Sequence, residues 1–131
     1  MTALDTNILV RYLTRDDLAQ TRKAEMIINR AIADEEPLLV PDIVLCELIW
    51  VLARSYRFNK DRILSGLKML YRAPALLYNS PTRLLAAIIA YETGPGDFAD
   101  YLIRERALEA GCKSVVTFDR RLKGQQGFQV V

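Results

Sequence analysis

Apolar residues along this chain form short continuous runs that alternate with longer stretches of helical spacing. Runs such as 38–40 and 114–118 are rich in leucine or β-branched residues and are bounded by prolines or charged residues, which is typical of strands. Between such runs, apolar side chains recur every three or four residues, as on one face of a helix. Strands that alternate with helices predict an α/β fold, here a three-layer α/β/α sandwich around a mostly parallel sheet.

The predicted elements follow one another without an internal repeat or a long linker. The first run, which ends at Asp5, predicts a buried strand that brings this carboxylate to a strand end. The helix at 43–53 is apolar nearly all round and is therefore expected to be the most buried one. On the flanking helices, the predicted core faces include Ala24, Ile27, Ile28, Ala31, Ile32, Leu84, Leu85, Ile88 and Ile89.

Length and composition limit the organisation of the chain. With 131 residues and 51% apolar content, it is expected to form a single domain, residues 1–131, with a substantial core. It shows no signal-peptide pattern and no apolar run near the roughly eighteen residues that span a bilayer, so a cytoplasmic protein without membrane association is expected. Cys46 and Cys112 lie in apolar segments without metal-ligand spacing and are expected to be reduced core residues.

The absence of histidine narrows the possible chemistry. It excludes serine–histidine triads, histidine zinc sites and acid–base catalysis by imidazole. Catalysis would have to use carboxylates, hydroxyls, lysines or a metal ion held by oxygen ligands. The net charge is only +2, and basic clusters such as the one at 120–123 either contact a phosphate-rich partner or form an ordinary solvated face.

Five acidic residues stand in apolar or strand-end positions. Asp5 and Asp119 each end a predicted strand, and Glu47 lies on an apolar helical stripe. Asp97 and Asp100 are three residues apart and project from one face at the start of a helix. Because the ends of parallel strands share one edge of a sheet, such carboxylates can converge there. A carboxylate cluster without histidine suits Mg²⁺ or Mn²⁺, which promote phosphodiester hydrolysis.

Each of these acids also has an ordinary structural explanation. Asp5, Asp97 and Asp119 can each cap the helix or turn that follows. Asp100 can pair with the arginine one helical turn later, and Glu47 can pair with a buried arginine. The residues alone leave these alternatives open.

Four short motifs contain these acids. They are Leu-Asp-Thr-Asn-Ile-Leu at 4–9, Cys-Glu-Leu at 46–48, Asp-Phe-Ala-Asp-Tyr-Leu-Ile at 97–103 and Val-Thr-Phe-Asp at 116–119. In content and in order they resemble the motifs of PIN-domain ribonucleases, and among these the VapC-type toxins of bacterial toxin–antitoxin pairs. The resemblance covers essentially the whole chain and implies a PIN-like fold.

The resemblance implies a role for each matching residue. The metal-binding and catalytic acids would be Asp5, Glu47, Asp100 and Asp119, with Thr6, Asn7, Asp97 and Thr117 as auxiliary residues. It further implies cleavage of single-stranded RNA by an activated water with Mg²⁺ or Mn²⁺, a homodimer, and inhibition by a cognate VapB-like antitoxin. The basic residues nearest the motifs, which either hold RNA phosphates or form a solvated surface, are Arg11, Arg120 and Arg121.

Two other functions are compatible with part of the pattern. A phosphatase of the haloacid-dehalogenase type also has an aspartate after its first strand and uses magnesium, but it requires a second acid where this chain has Asn7. A non-catalytic RNA- or protein-binding module on a nuclease-like fold would need the loss of a motif acid, and all four are present. The hairpin at 43–71, with Trp50 and Tyr56, is a candidate for the dimer or antitoxin surface, or it is ordinary core.

Overall fold

The periodic and continuous apolar segments form the helices and strands that their spacing predicts. The computed structural model describes residues Met1–Val131. The strands are β1 (Thr2–Ala3), β2 (Leu38–Val40), β3 (Leu76–Tyr78), β4 (Val115–Thr117) and β5 (Phe128–Val130). The helices are α1 (Thr6–Thr14), α2 (Leu18–Ala33), α3 (Asp42–Arg54), α4 (Lys60–Arg72), α5 (Pro81–Thr93) and α6 (Phe98–Glu109), and a 3₁₀ turn covers Arg120–Leu122. All strand pairs are parallel, which confirms the predicted α/β class.

The chain divides into two compact units. The first unit, Met1–Pro81, contains a three-stranded sheet in the order β1, β2, β3. Strand β2 is central, and both Leu38 and Val40 are buried, as predicted for a strand covered on both faces. Helices α1 to α4 supply most of the remaining buried apolar side chains of this unit.

The second unit, Thr82–Val131, is built from most of α5, from α6 and from the parallel pair β4 and β5. Its core contains aromatic residues that meet edge to face, an arrangement that aromatic rings prefer. The rings of Tyr91 and Phe98 are 6.2 Å apart, and those of Tyr101 and Phe128 are 6.0 Å apart. Leu122 from the 3₁₀ turn is fully buried as well. These contacts fix the turn that follows Asp119.

The prediction of a buried first strand is wrong. Strand β1 has two residues, both exposed, and it lies at the edge of the three-stranded sheet. Its pairing continues only through the backbone N–H of Leu4, which donates to the carbonyl of Leu39 at 2.9 Å. Asp5 therefore follows a short edge strand and is itself exposed.

The apolar composition of helix α3 predicts burial all round, but the structure shows only one buried face. One face is buried, but Ile43 and Trp50 on the other face are 75% and 59% exposed. A surface helix buries a single stripe against its neighbours, so residues beyond that stripe stay in solvent whatever their polarity. For the same reason, the predicted core positions that turn out to be exposed are Ile27, Ile32, Leu85 and Ile89.

The cysteines are both free, as predicted, but they are not both in the core. Cys46 is half-buried and Cys112 is exposed. The prediction that Cys112 lies in the core is wrong, because α6 ends at Glu109 and Gly111 then turns the chain with a φ of 88°. None of the helices combines the length and apolar character needed to cross a membrane.

Candidate functional site

Three acidic side chains of the second unit surround the guanidinium of Arg121. Its Nη2 lies 2.6 Å from Oδ2 of Asp119 and 3.2 Å from Oδ2 of Asp97. Oδ2 of Asp100 lies 3.9 Å from the same nitrogen. We call these three carboxylates the acidic cluster. The sequence placed its three acids in candidate motifs, but it did not indicate that Arg121 would lie among them.

The start of α6 positions two members of the acidic cluster. Asp97 is the N-cap residue, and the Asp100 carboxylate accepts the backbone N–H of Asp97 at 2.8 Å. Acidic residues favour this end of a helix because unpaired N–H groups and the helix dipole make it positive. The capping explanation for Asp97 is thus correct. The alternative partner for Asp100 is wrong, because Arg104 instead contacts Glu105 and a backbone carbonyl.

The third member follows β4. Asp119 caps the 3₁₀ turn and accepts the backbone N–H of Arg121 at 3.0 Å. The backbone N–H of Asp119 in turn donates to Oγ1 of Thr117 at 3.0 Å. Thr117, predicted as an auxiliary residue, therefore helps to hold the backbone from which the Asp119 carboxylate projects.

A glycine loop before α6 is packed tightly against Tyr101. The buried Tyr101 hydroxyl accepts the backbone N–H of Gly96 at 3.0 Å. A Cβ added at Gly94 would overlap that hydroxyl, and one at Gly96 would lie 2.7 Å from Leu122. The sequence analysis missed Tyr101, although an aromatic residue shortly after a Gly-Pro-Gly segment was the available signal. The loop fixes the chain where it enters α6 at Asp97.

The environment shifts the pKa values of Asp119 and Asp100 in opposite directions. Hydrogen bonds from Arg121 lower the pKa of Asp119. The same contacts with Asp119, together with those to Asp97, raise the pKa of Arg121. Burial raises the pKa of Asp100, and the negative charges of Asp97 and Asp119 add to this effect, while the N–H of Asp97 and the charge of Arg121 oppose it. A further positive charge beside Asp100 would therefore favour its ionised form.

The two remaining motif acids belong to the first unit, and both are exposed. Asp5 caps α1, and its Oδ1 accepts the backbone N–H of Thr6 at 2.8 Å, so the capping explanation is correct here too. Thr6 is buried and Asn7 is exposed. Glu47 lies on the exposed face of α3, which rules out the suggested pairing with a buried arginine.

The other two basic candidates differ in their surroundings. Arg11 is committed to internal hydrogen bonds: Nη1 contacts Asp16 at 3.1 Å and the Tyr56 hydroxyl at 2.9 Å, and Nε donates to Gln20 at 2.6 Å. It therefore ties α1 to the start of α2 and to the turn after α3. Arg120 is exposed at the 3₁₀ turn, where it is accessible to an anionic ligand.

The acidic cluster has a suitable donor set for a hard divalent cation, because every ligand it offers is a carboxylate oxygen. As the side chains stand, no group of three or more acidic, histidine or cysteine residues is arranged to hold a metal ion. The guanidinium of Arg121 lies among these carboxylates and shares their oxygens. A metal ion and Arg121 would thus compete for the same ligands.

Known proteins with related sequences match this chain along its length. The PIN domain family matches residues 2–126, a span that contains all four acidic motifs. A VapC ribonuclease from Aquifex aeolicus (strain VF5) is 28% identical over 131 residues, which cover 100% of this chain and 96% of that relative. The chain therefore belongs to the PIN-domain family.

Proposed function

We propose that this protein is a metal-dependent endoribonuclease toxin that cleaves single-stranded regions of RNA. The observation that carries the proposal is the acidic cluster, in which Asp97, Asp100 and Asp119 surround one positive charge. The similarity to a VapC ribonuclease over the full chain supports this choice of activity. Residues 1–131 would form a single PIN domain.

The roles follow the motifs that each residue matches. The metal-binding and catalytic acids of the proposal are Asp5, Glu47, Asp100 and Asp119, and the auxiliary residues are Thr6, Asn7, Asp97 and Thr117. Mg²⁺, with Mn²⁺ as the alternative, is the proposed cofactor because hard cations prefer carboxylate oxygens. When bound, such an ion supplies an activated water and neutralises charge on the phosphate.

Arg121 has two successive tasks in this proposal. In the free protein its single positive charge offsets part of the mutual repulsion among the three carboxylates of the acidic cluster. Once it releases them, its planar guanidinium is available to bind a phosphate oxygen of the RNA. Arg120, one residue earlier and exposed, would contact the backbone in the same way.

The proposed partners are an RNA substrate, a second copy of the chain in a homodimer, and a cognate VapB-like antitoxin. The similarity to a VapC ribonuclease supports a toxin and hence an antitoxin. Large apolar side chains that are exposed elsewhere, such as Ile89 and Ile103, are compatible with surfaces that bind protein partners. With RNA as its substrate, the protein would act in the cytoplasm.

The activity can be tested on a pool of small RNAs with purified protein that is free of any bound partner. We expect fragments with Mg²⁺ or Mn²⁺, none with a chelator, and none from Asp5→Asn or Asp100→Asn. Glu36→Gln, which changes an exposed acid outside the motifs, should cleave like the wild type. Cleavage that persists in both motif variants would contradict the proposal.

A second candidate is the non-catalytic binding module. It is favoured by the bond between Arg121 and the acidic cluster, since a carboxylate already satisfied by an arginine has less need of a metal ion. Folded, partner-free protein that neither cleaves RNA nor binds Mn²⁺ in calorimetry would support this candidate over the nuclease.

A further inference from the structure

One face of α3 is exposed along its whole length. The residues on this face follow one another by one helical turn and are all exposed: Ile43, Glu47, Trp50 and Arg54. Trp50 is 59% exposed and is the single tryptophan of the chain. A large aromatic side chain in water forgoes the stabilisation of burial, roughly 1.5–3 kcal/mol for a large apolar residue. Contact with a ligand would recover part of this stabilisation.

Arginines lie over the aromatic rings of this region, within cation–π distance. The guanidinium carbon of Arg54 lies 5.7 Å from the centre of the Trp50 ring. In the first turn of α4, the guanidinium carbon of Arg62 lies 3.8 Å from the centre of the Phe58 ring. Aromatic rings that stack bases, next to guanidinium groups that bind phosphates, are the features by which proteins hold single-stranded nucleic acid.

The charge of the segment also favours a polyanion. From Trp50 to Arg62, the chain carries four basic side chains and one acidic side chain, Asp61. The two large apolar residues of the exposed face, Ile43 and Trp50, are separated by the charged Glu47, so they do not form the continuous apolar stripe by which a helix binds a protein partner.

We propose that Trp50, supported by Arg54, forms a subsite that stacks one base of a single-stranded RNA beside Glu47. Because the helix rises about 1.5 Å per residue, Trp50 lies about 4.5 Å along the axis from Glu47. A base held on the Trp50 ring would therefore keep the adjoining phosphate near the acid. The inference rests on the proposed function only in assigning Glu47 to the nuclease site; the RNA contact itself is independent of it.

Trp50 reports directly on this contact, since its fluorescence is the only indole signal of the protein. We expect a short single-stranded oligouridine, added in the presence of a chelator, to quench this emission saturably, and a poly(A)·poly(U) duplex to leave it unchanged. Quenching follows because a stacked base lies in direct contact with the indole ring.

Variants separate stacking from charge in binding of a labelled oligouridine measured by anisotropy. Trp50→Ala should raise the Kd roughly 5- to 100-fold, whereas Trp50→Phe should keep most of the affinity because a phenyl ring still stacks. Arg54→Gln should weaken binding. It should also reduce the slope of log Kd against log salt concentration by about 1, the amount expected for the loss of one phosphate contact. The matched control is Met26→Ala, which removes another large exposed side chain, on α2, and should have no effect.

Three outcomes would overturn the inference. In the first, saturating oligouridine leaves the Trp50 emission unchanged, or Trp50→Ala binds it as tightly as the wild type. In the second, sedimentation without RNA shows that Trp50→Ala converts a dimer into a monomer, which would make this face a contact between copies of the chain. In the third, Trp50→Ala cleaves RNA with an unaltered KM, which would reject the subsite and leave the proposed nuclease intact. If instead Trp50→Ala loses oligouridine binding and the wild type never cleaves RNA, the subsite stands and the proposed nuclease is rejected.

Discussion

Arg121 binds the carboxylate of Asp119 through two nitrogens, with Nε 3.1 Å from Oδ1 and Nη2 2.6 Å from Oδ2. The two residues are only two positions apart, so the pair forms within a single 3₁₀ turn. The same guanidinium reaches the N-terminus of α6 through Asp97 and Asp100. This local ion pair thus places a positive charge beside the acidic cluster, and a metal ion bound by these carboxylates would have to displace Arg121.

The first prediction is that Arg121→Gln binds divalent metal more tightly than the wild type. Removing a competing cation from the carboxylates should lower the Kd for Mn²⁺, measured by calorimetry with the metal alone, by roughly tenfold. The variant should also melt at a lower temperature in chelator, because three carboxylates then repel one another, and Mn²⁺ should restore more of its stability than it adds to the wild type.

The control for this experiment is Arg120→Gln, which removes the same charge at the neighbouring exposed position. It should leave the Mn²⁺ affinity close to that of the wild type. If both variants bind Mn²⁺ as the wild type does, Arg121 does not compete with the metal, and its role is confined to holding the turn.

A second prediction concerns Thr117, whose hydroxyl accepts the backbone N–H of Asp119. Thr117→Val should lower the rate of RNA cleavage, since the Asp119 carboxylate loses its fixed backbone, and should lower the free energy of unfolding by about 0.5–1.5 kcal/mol. Thr117→Ser retains the hydroxyl and should recover the activity. A serine variant as impaired as the valine variant would show that the methyl group, and not the hydrogen bond, is required.

Local signals account for what could be predicted from the sequence. Two helices begin directly after Asp5 and Asp97, which were predicted as possible caps, because capping involves only residues a few positions apart. The strands within 38–40 and 114–118 could be predicted for a similar reason, since a short apolar segment flanked by turn residues is typical of a strand.

Features that depend on packing between distant segments were not predictable. Which stripe of an apolar helix faces the core depends on its rotation against the sheet, so Ile27 and Trp50 turned out to be exposed. The contact of Arg121 with Asp97 joins positions 24 residues apart, and the basic turn that contains Arg121 was equally consistent with a phosphate-binding site. The motif acids were identified from their apolar or strand-end positions and from the family resemblance, but their surroundings were known only from the structure.

A third prediction concerns the glycine loop. Gly94→Ala should destabilise the protein by about 1–3 kcal/mol, because the new methyl group overlaps the Tyr101 hydroxyl. The double variant Gly94→Ala/Tyr101→Phe should lose less free energy of unfolding than the sum of the losses in the two single variants, as expected for residues in contact. Urea unfolding of the four proteins measures the coupling.

Gly66→Ala is the matched control for the glycine substitution. Gly66 lies within α4, and a methyl group there would meet Leu13 at an ordinary contact distance of 3.6 Å. This substitution should stabilise the protein by about 0.5–1 kcal/mol, since alanine favours a helix. A loss of stability similar to that of Gly94→Ala would mean that the overlap with Tyr101 is not the cause.

The last prediction is a loss of stability at alkaline pH that depends on Tyr78. Burial raises the pKa of its phenol above the ordinary value of 10.0, and its hydroxyl donates to the carbonyl of Leu70. Because the folded protein holds this proton more tightly than the unfolded chain, the stability it confers is complete below about pH 10 and is lost as the pH rises beyond that value.

Tyr78→Phe should lower the free energy of unfolding by about 1 kcal/mol at pH 7 through the lost hydrogen bond. From pH 9 to 11, however, the free energy of unfolding of this variant should fall less steeply than that of the wild type. Urea midpoints across this range test the difference, with Tyr12→Phe on α1 as the control that keeps the bond to Leu70. An equally steep decline in Tyr78→Phe would assign the alkaline transition to another group.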